Sequence, residues 1–280
     1  MTRSPDPTDR FDAGEVRAAA GLATLEHLVE TGSTMQRARE WALDPAVPLP
    51  AAVVADRQTA GRGRRGAAWW QAPGSLATSL VLAGASPAPG AEGRALAPLV
   101  SLACGVALAE TIRGLEPEVG TLVRWPNDVV VAGRKLAGIL VETAPGGRLV
   151  VGIGVNTTGS AREAPAPLGA RVATIPDLVG RSLPRGRLLA ALVPRLVGLL
   201  GETSRDPGVL VERYRPLCSL AGTTVTLHRD DGRRITGPCL GIDASGALVI
   251  ETVAGPMHFV SGSLTAPADV WRGATDERAS

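Results

Sequence analysis

Glycine and arginine alternate in the segment GRGRRG, residues 61–66, and two tryptophans, Trp69 and Trp70, follow it closely. Glycine lets backbone N–H groups turn toward an anion, and the forked guanidinium of arginine matches carboxylate or phosphate oxygens. Tryptophan can cover a flat ring. Three neighbouring arginines also repel one another, so we expect this segment to stay mobile until an anionic ligand neutralises it. The pattern predicts a loop that clamps a nucleotide phosphate.

Two other interpretations of this segment stay open on its residues alone: an RG-type contact with nucleic acid, and a solvated loop that binds nothing. The segment is not a Walker loop, because it lacks a GK[ST] ending and no helix is predicted after it. The Rossmann glycine fingerprint is absent too. A second set of chemical groups is therefore needed to separate phosphate chemistry from passive contact with RNA.

Lys135 is the only lysine of the chain, since the other 28 of its 29 Lys and Arg residues are arginine. Such a lysine persists either by chance or because the position needs a compact ammonium. Asn127 and Asp128 follow Pro126 at a strand end, before Lys135. A tight hairpin would bring Asp128 and Lys135 into one cleft, where the carboxylate could hold Mg²⁺ on a polyphosphate and the ammonium could neutralise developing charge. The structural alternative is an Asx-capped turn with an ion pair.

Two shorter motifs, GSTM at 32–35 and GIGVN at 152–156, complete the set. Ser33 and Thr34 stand just before a helical stretch, so either could serve as its N-cap. Asn156 ends a glycine-bearing strand, which suits either simple sheet packing or a wall where a ligand ring lies against bare backbone. Each motif alone has a structural explanation, and only the conjunction of all four is specific.

The elements that must position these motifs follow from periodicity and turn signals. We expect a meander in which TLVRWPNDVVV, a turn at Ala132 to Arg134, KLAGILVET, the turn PGG and RLVVGIGVNTT form consecutive antiparallel strands. Short strands from Cys218 onward predict a β-barrel of about 50 residues. The remaining predicted elements are strands at 51–58 and 75–82, a buried helix from 94 to 114, a loop at 161–170, and helices at about 184–201 and 206–214.

Composition excludes several classes of protein. The 280 residues are 45% hydrophobic, but no run approaches the roughly 18 apolar residues of a membrane span, and the acidic, proline-containing start is unlike a signal peptide. We therefore expect a cytoplasmic enzyme. A net charge of +2 does not make nucleic acid the default partner. Three scattered cysteines, Cys104, Cys218 and Cys239, predict reduced, packed thiols rather than a zinc site or a disulfide.

Taken together, the motifs at 32–35, 57–66, 124–129, 134–142 and 152–156 closely resemble those of the biotin protein ligase family, in order and in spacing. The resemblance covers about three quarters of the chain. It implies an α+β fold, with a catalytic domain like that of class II aminoacyl-tRNA synthetases and biotin synthetases, followed by a small SH3-like β-barrel. The domains implied are a flexible tail (1–21), the catalytic domain (22–215) and the SH3-like domain (218–270).

The family attaches biotin to a carrier-protein lysine in two steps, through biotinyl-5′-AMP made from biotin and ATP. This chemistry needs no enzyme nucleophile, which agrees with the absence of a Ser/His/Asp or Cys/His constellation among the scattered His27, His228 and His258. Catalysis would come from positioning and charge neutralisation, and an ordered loop would keep water away from the anhydride.

The resemblance also assigns roles to individual residues. The catalytic residues it implies are Lys135, Arg62 and Arg64. Biotin would bind to Ser33, Thr34, Met35, Gln58, Arg62, Gly63, Arg64 and Lys135. ATP and the adenylate would bind to Arg62, Arg64, Arg65, Trp69, Asn127, Asp128, Lys135 and Asn156. Mg²⁺ would bind to Asp128. Met35 departs from the family, which often has asparagine there, and its side chain cannot donate a hydrogen bond.

The partner implied is the biotin carrier domain of an acetyl-CoA or acyl-CoA carboxylase. About 30 residues precede Ser33, too few for the N-terminal winged helix of some family members, so we expect a monofunctional ligase that does not bind DNA or membranes and is a monomer or weak homodimer. Two alternatives stay open: a lipoate ligase or octanoyltransferase of the same superfamily, and an RNA-binding protein that uses Arg62, Arg64 and Arg65 on phosphates.

Overall fold

A computed structural model of the chain describes residues 11–72, 74–84 and 96–265. Its elements agree with the pattern of the sequence over most of this range. The helices, in chain order, are α1 (Ala13–Ala19), α2 (Thr34–Leu43), α3 (Leu96–Leu115), α4 (Ile175–Val179), α5 (Arg185–Arg205) and α6 (Gly208–Tyr214). The strands are β1 (Thr24–Thr31), β2 (Ala51–Gln58), β3 (Leu76–Leu82), β4 (Leu122–Arg124), β5 (Asp128–Val131), β6 (Arg134–Thr143), β7 (Leu149–Val155), β8 (Thr224–His228), β9 (Arg234–Ile242), β10 (Leu248–Thr252), β11 (Gly255–Phe259) and β12 (Ser263–Thr265).

The first seven strands form one sheet in the order β1-β2-β3-β7-β6-β5-β4, in which only the β1–β2 pair is parallel. Both faces are covered. Helix α2 packs with one apolar cluster that includes Met35 and Val53, and helices α3 and α5 pack into the larger core that includes Val54 and Leu192. Burial on both faces explains why β3 reads as a continuous apolar and small-residue run rather than an alternating one.

Helix α3 is the central buried helix that the sequence predicts. Gly105 allows it to lie close to the sheet, because a Cβ atom there would stand 3.0 Å from Cγ1 of Val123. Residues Ala97–Leu115 are long and apolar enough to cross a membrane by length and composition, but 67% of that window is buried within the fold. Such burial is typical of a core helix.

The predicted meander is confirmed, with one subdivision. Its first strand is split into β4 and β5 by a turn that contains the cis Trp125–Pro126 peptide bond. The turn between β5 and β6 places Ala132 and Gly133 at φ 46° and 72°, the two left-handed positions of a tight hairpin. This hairpin determines how far apart the side chains of Asp128 and Lys135 lie.

The N-terminal segment differs from the flexible tail expected over 1–21. Residues 1–10 lie outside the described residues, but Ala13–Ala19 form α1. Asp12 caps this helix, because its Oδ1 accepts hydrogen bonds from the backbone N–H groups of Gly14 (2.9 Å) and Glu15 (3.0 Å). Val16 is buried in the large core. Prolines and charges dominate the first ten residues, which makes the whole segment resemble a flexible tail. The short helix that follows has two signals in the sequence, the Asp12 cap and the apolar Val16.

Strands β8 to β12 form a second, wholly antiparallel sheet in the order β11-β10-β9-β8-β12. Residues 266–270 of the predicted C-terminal domain lie outside the described residues. This sheet shares the large hydrophobic core, and Trp125 Nε1 donates a hydrogen bond to the carbonyl of Gly246 across the junction (3.1 Å). Residues on this second sheet can therefore lie within reach of the first.

All three cysteines are free, as predicted. Cys104 is buried in α3, whereas Cys218 and Cys239, distant in sequence, are brought together by the packing of β9 on the segment after α6. A hydrogen bond from Cys239, with another from Tyr214, lowers the pKa of the Cys218 thiol against the opposing effect of burial.

Candidate functional site

One cavity of about 260 Å³ brings the chemical motifs together. It opens between the Gly/Arg loop, the start of α2 and the sheet strands β6 and β7. Every predicted site residue except Asn156 lines it: Ser33, Thr34, Met35, Gln58, Arg62, Gly63, Arg64, Arg65, Trp69, Asn127, Asp128 and Lys135. The conjunction seen in the sequence is thus a conjunction in space.

The floor of the cavity is a patch of bare backbone formed by Gly138, Gly152 and Gly154. A Cβ atom on Gly154 would stand 2.5 Å from the Trp69 ring, and one on Gly152 would stand 2.7 Å from the Met35 sulfur. Gly138 faces Gly154 across the β6–β7 ladder. Only glycine leaves room for the two large side chains, so the GIG motif serves to seat Trp69 and Met35 against the sheet.

A buried hydrogen-bond chain fixes the start of α2. Oε1 of Gln58, on β2, accepts from both the backbone N–H (3.0 Å) and the hydroxyl (3.2 Å) of Thr34, and the hydroxyl of Ser79 donates to that of Thr34 (2.8 Å). Ser33 occupies the N-cap position without a side-chain capping bond. The capping bond expected from Ser33 or Thr34 is therefore replaced by Gln58, and the Ser33 hydroxyl faces the cavity.

The Gly/Arg loop is folded into a narrow hairpin. Gly63 N–H donates to the Ala67 carbonyl (2.7 Å), Trp69 N–H donates to the Gly61 carbonyl (3.0 Å), and a short 3₁₀ turn spans Arg64–Gly66. This backbone pairing places Trp69 directly beneath the loop. Because it ends on a tryptophan that packs against the floor, the loop is tethered at its base.

The three loop arginines have different surroundings. Arg64 donates to Oδ1 of Asn127 (3.3 Å), and burial lowers its pKa, with a further contribution from the charge of Arg65. Arg65 donates to Oγ of Ser263 (2.8 Å) and pairs with Asp230. Among the described residues no hydrogen bond or ion pair is found for the guanidinium of exposed Arg62. Arg62 is thus the loop cation with free donors at the cavity mouth.

Lys135 lies beside Asp128, as the hairpin interpretation predicted. Its Nζ stands 2.6 Å from Oδ1 of Asp128 and 5.3 Å from the centre of the Trp69 ring, and its side chain is 29% exposed. A β-bulge between Val129 and Val130 sets this register. Asp128 therefore holds the ammonium over the floor of the cavity, where an anion would complete its coordination.

Asp128 is less suited to the metal role expected of it. Its second oxygen, Oδ2, accepts from Arg124 (2.9 Å), so both carboxylate oxygens face cations. Within the described ranges no group of three or more His, Cys, Asp or Glu side chains could hold a metal ion. These donors do not fit a protein-held magnesium site, and they fit an anchor for Lys135.

The two asparagines differ in position. Nδ2 of Asn127 donates to the carbonyl of Ile139 on β6 (2.8 Å), which ties the residue to the sheet. Its Oδ1 accepts from Arg64 at the cavity. Asn156 is 1% exposed and lies outside the cavity, with Nδ2 donating to the carbonyl of Ala173 (3.0 Å). The structure therefore does not bring Asn156 to the site. The hydrogen bond of its side chain instead holds the segment that follows the loop predicted at 161–170.

Sequence reasoning missed several cavity residues. Arg124, which lies outside the lining but pairs with Asp128, has a local signal, because it precedes Asp128 by four residues in the RWPNDV motif. Gly138 and Gly152 could have been found as glycines inside strand patterns. Ser263, on β12, has no local signal, since nothing near it in sequence points to a site nearly 200 residues upstream.

Comparisons with known proteins are consistent with this geometry. The profile of the Biotin/lipoate A/B protein ligase family matches residues 30–157. A Mycobacterium tuberculosis protein named biotin–[acetyl-CoA-carboxylase] ligase is 29% identical over 238 residues, covering 84% of this chain and 86% of its own length. The bifunctional ligase/repressor BirA of Salmonella typhimurium is 32% identical over 255 residues, covering 88% and 75%.

Among solved structures, that of the biotin protein ligase from Aquifex aeolicus in complex with biotin and ATP superposes with a TM-score of 0.74. The two chains are 28% identical, and the match covers 88% of this chain and all of the other. The mixed α+β architecture is therefore shared with that ligase over nearly its whole length.

Proposed function

The chain belongs to the biotin protein ligase family, and from that premise we propose that it is an ATP-dependent ligase that joins biotin to a lysine of a biotin carrier protein. The observation that carries this proposal is the cavity itself. Small hydroxyl and amide groups converge at one end, cations converge at the other, and a glycine floor lies between. A carboxylic acid with a ring system fits such a division of chemistry.

The reaction proceeds in two balanced steps. First, a carboxylate oxygen of biotin attacks the α-phosphorus of ATP, the bond to the bridging oxygen breaks, and pyrophosphate leaves. Second, the neutral amine of the carrier lysine attacks the acyl carbon of biotinyl-5′-AMP, the bond to the phosphate oxygen breaks and AMP leaves, and the nitrogen loses a proton to solvent as the amide forms. Neither Cys nor His lines the cavity among the described residues, which suits a reaction without a covalent enzyme intermediate.

Biotin occupies the end of the cavity formed by Ser33, Thr34, Met35 and Gln58. The hydroxyl of Ser33 and the remaining hydrogen-bonding capacity of Gln58 bind its polar ring group, while the thioether of Met35 and the Trp69 ring form apolar walls. Met35 lies against Gly152 and cannot replace the amide that the family often has there. Packing takes the place of that hydrogen bond.

Lys135, Arg62 and Arg64 act on the phosphate end. The ammonium of Lys135, held by Asp128, neutralises charge between the biotin carboxylate and the α-phosphate. Arg62 and Arg64 close over the phosphate with the backbone of Gly63, and Trp69 and Asn127 pack beside the adenylate. Positioning and charge neutralisation are the whole of the protein's contribution to catalysis.

The cavity volume supports a loop that moves during this cycle. Sites for drug-sized ligands typically measure roughly 300–1,000 Å³, and the observed 260 Å³ lies just below that range. Biotin together with ATP needs more room. The hairpin tip at residues 64–66 is the part of the wall that can move, because none of its residues is buried. The floor is held by the close packing of Trp69 and Met35 on its glycines.

Magnesium enters with the triphosphate of ATP rather than on a protein site. Asp128 is already neutralised by Arg124 and Lys135, so its proposed role is to orient Lys135. The described residues supply no metal cluster that would argue otherwise.

The finer fold assignment is also part of this proposal. The seven-stranded sheet, covered on both faces by helices, is the catalytic domain of the class II synthetase type. The five short antiparallel strands form the SH3-like module. We assign the carrier domain of an acetyl-CoA or acyl-CoA carboxylase as the protein substrate, and the cytoplasm as the location of the enzyme.

The test is incubation with biotin, ATP, magnesium and a biotin carrier domain, followed by detection of the labelled carrier. Wild type should label it, and Lys135→Ala and Arg64→Ala should label it much more slowly. Saturating biotin should also raise the melting temperature. Stabilisation by lipoate alone would make the chain a lipoate ligase instead, and a salt-dependent RNA gel shift without biotin-dependent ATP turnover would favour an RNA-binding protein.

A further inference from the structure

Among the described residues, Arg65 is the loop arginine that forms a hydrogen bond and an ion pair with the segment of the five-stranded sheet. Nη1 of Arg65 donates to Oγ of Ser263 on β12 (2.8 Å), and Nη2 pairs with Asp230 in the turn between β8 and β9. Strands β8 and β12 are neighbours in the sheet, so both partners lie on one edge. That edge reaches the cavity, since Ser263 is part of its lining.

Arg65 adopts a backbone conformation that nothing within the loop requires of an arginine. Its φ and ψ are 55° and 29°, in the left-handed region, and Gly66 follows at φ 76°. Residues with a Cβ atom enter this region at a cost in energy, and such strain persists only where surrounding contacts compensate for it. The contacts that Arg65 makes at this point are those with Asp230 and Ser263.

Arg62 and Arg64 both precede the anchored Arg65 in the loop, and their surroundings differ from that of Arg65. Arg64 is half-buried against Asn127, whereas Arg62 faces the cavity mouth. The anchor at Arg65 constrains the neighbouring backbone, and it therefore constrains where Arg62 and Arg64 lie. A tip free of Asp230 and Ser263 would let both guanidinium groups leave the phosphate end of the cavity.

We propose that Asp230 and Ser263 form a latch that holds the loop closed through Arg65. Arg65 is then a positioning residue and not a phosphate ligand, which changes the adenylate-binding role expected of it from sequence. The latch keeps the Gly/Arg loop over the cavity and slows escape of the activated acid. That consequence for the intermediate rests on the proposed function, whereas the latch itself does not.

The ion pair of the latch is weak because both of its side chains are exposed. The side chain of Arg65 is 46% exposed and that of Asp230 is 71% exposed, so solvent screens their attraction. A weak latch suits a loop that must open to admit substrates and release products in every cycle. Its contribution should fall as ionic strength rises, because exposed pairs are screened by salt.

Amide hydrogen exchange of residues 61–66 in the free protein tests the latch directly. Asp230→Asn should speed exchange by up to about fivefold, the limit for an exposed ion pair. Arg65→Gln should speed it at least as much, because it also removes the bond to Ser263. The double variant should go no further than Arg65→Gln alone, because the ion pair is already lost. Exchanging the pair, Arg65→Asp with Asp230→Arg, should restore much of the protection, since Asp tolerates left-handed backbone. Glu212→Gln, which removes the partner of another exposed arginine, Arg215, should have no effect.

The kinetic readout separates the latch from direct phosphate binding. Asp230→Asn and Arg65→Gln should both accelerate loss of biotinyl-5′-AMP from the enzyme, Arg65→Gln at least as much as Asp230→Asn, and both should raise the KM for ATP by small factors. Loop exchange that is unchanged by Asp230→Asn overturns the proposal. So does a KM for ATP that Arg65→Gln raises tenfold while Asp230→Asn lowers it, because Asp230 would then compete with the nucleotide. If wild type makes no adenylate but the exchange pattern holds, the proposed function fails and the latch stands.

Discussion

The floor and the lid of the cavity are held in place by different kinds of contact. On the floor, three strand glycines leave space that Trp69 and Met35 fill, with almost no tolerance. In the lid, which is the Gly/Arg loop at residues 61–66, half-buried Arg64 is held by a hydrogen bond to Asn127 and exposed Arg65 by a screened ion pair with Asp230. Steric fit is rigid and independent of salt, whereas exposed charge contacts are weak and adjustable. A site that must position one ligand and release another benefits from having both.

Substitution of Lys135 should give the largest effect on activity, because its ammonium lies over the cavity floor at the proposed position of the α-phosphate. We expect Lys135→Met to slow formation of biotinyl-5′-AMP by about 10²-fold to 10³-fold, the loss typical of removing one charge-stabilising group. Pyrophosphate release in single-turnover experiments measures this step. Lys135→Arg is the control for charge: it should recover only part of the rate, since a fork does not reproduce the ammonium beside Asp128.

The rigidity of the floor is tested by Gly154→Ala. The added methyl would lie 2.5 Å from the Trp69 ring, so Trp69 must move and the base of the lid moves with it. We expect destabilisation of about 1–3 kcal/mol and a fall of roughly 100-fold in the rate of adenylate formation.

Gly198→Ala is the matched control for that change. Gly198 lies inside α5 with open space around its Cβ position, so alanine should stabilise the protein by about 0.5–1 kcal/mol without changing the rate. A Gly154→Ala variant that behaves like Gly198→Ala would show that the floor is not rigid.

The biotin end of the floor depends on a buried hydroxyl. Thr34→Val removes a group that donates to Gln58 and accepts from Ser79 at a position that is 2% exposed. Gln58 keeps its bond from the Thr34 backbone N–H, but the buried Ser79 hydroxyl loses its acceptor. We expect a loss of about 1–3 kcal/mol in the free energy of unfolding, with weaker binding of biotin measured by calorimetry. Thr226→Val, which removes an exposed hydroxyl pair with Thr236, should change neither quantity.

The smallest expected effect belongs to the lid. Raising sodium chloride from about 50 to 300 mM should raise the KM for ATP a few-fold, because it screens exposed cations such as Arg62. Binding of biotin alone, which relies on the floor, should change little. Equal salt dependence of the two ligands in titrations would remove the distinction between floor and lid.

Local contacts explain why the pairing of Asp128 with Lys135 was predictable from sequence. One tight hairpin joins the two residues, so turn chemistry and alternation determine their proximity. The lid was predictable in composition but not in geometry. Its anchor, Asp230 and Ser263, comes from elements more than 160 residues away, and no local pattern encodes such a contact.

Asn156 and Asp128 also differ from the roles predicted for them, and contacts supplied by the tertiary fold are again the cause. Asn156 ends its strand as predicted, but the chain after it folds back to Ala173 and buries the side chain away from the cavity. Asp128 has the right type for a metal ligand, yet Arg124 and Lys135 neutralise it. Residue type indicates which chemistry is possible, and neighbours supplied by the tertiary fold decide which of those possibilities is used.

The most direct test of the central claim is exchange of labelled pyrophosphate into ATP, which reports reversible formation of the acyl adenylate. Wild type should catalyse the exchange only when biotin is present, and lipoate should not substitute for it. Exchange that proceeds without biotin, or that requires lipoate, would contradict the claim that this cavity activates the carboxylate of biotin.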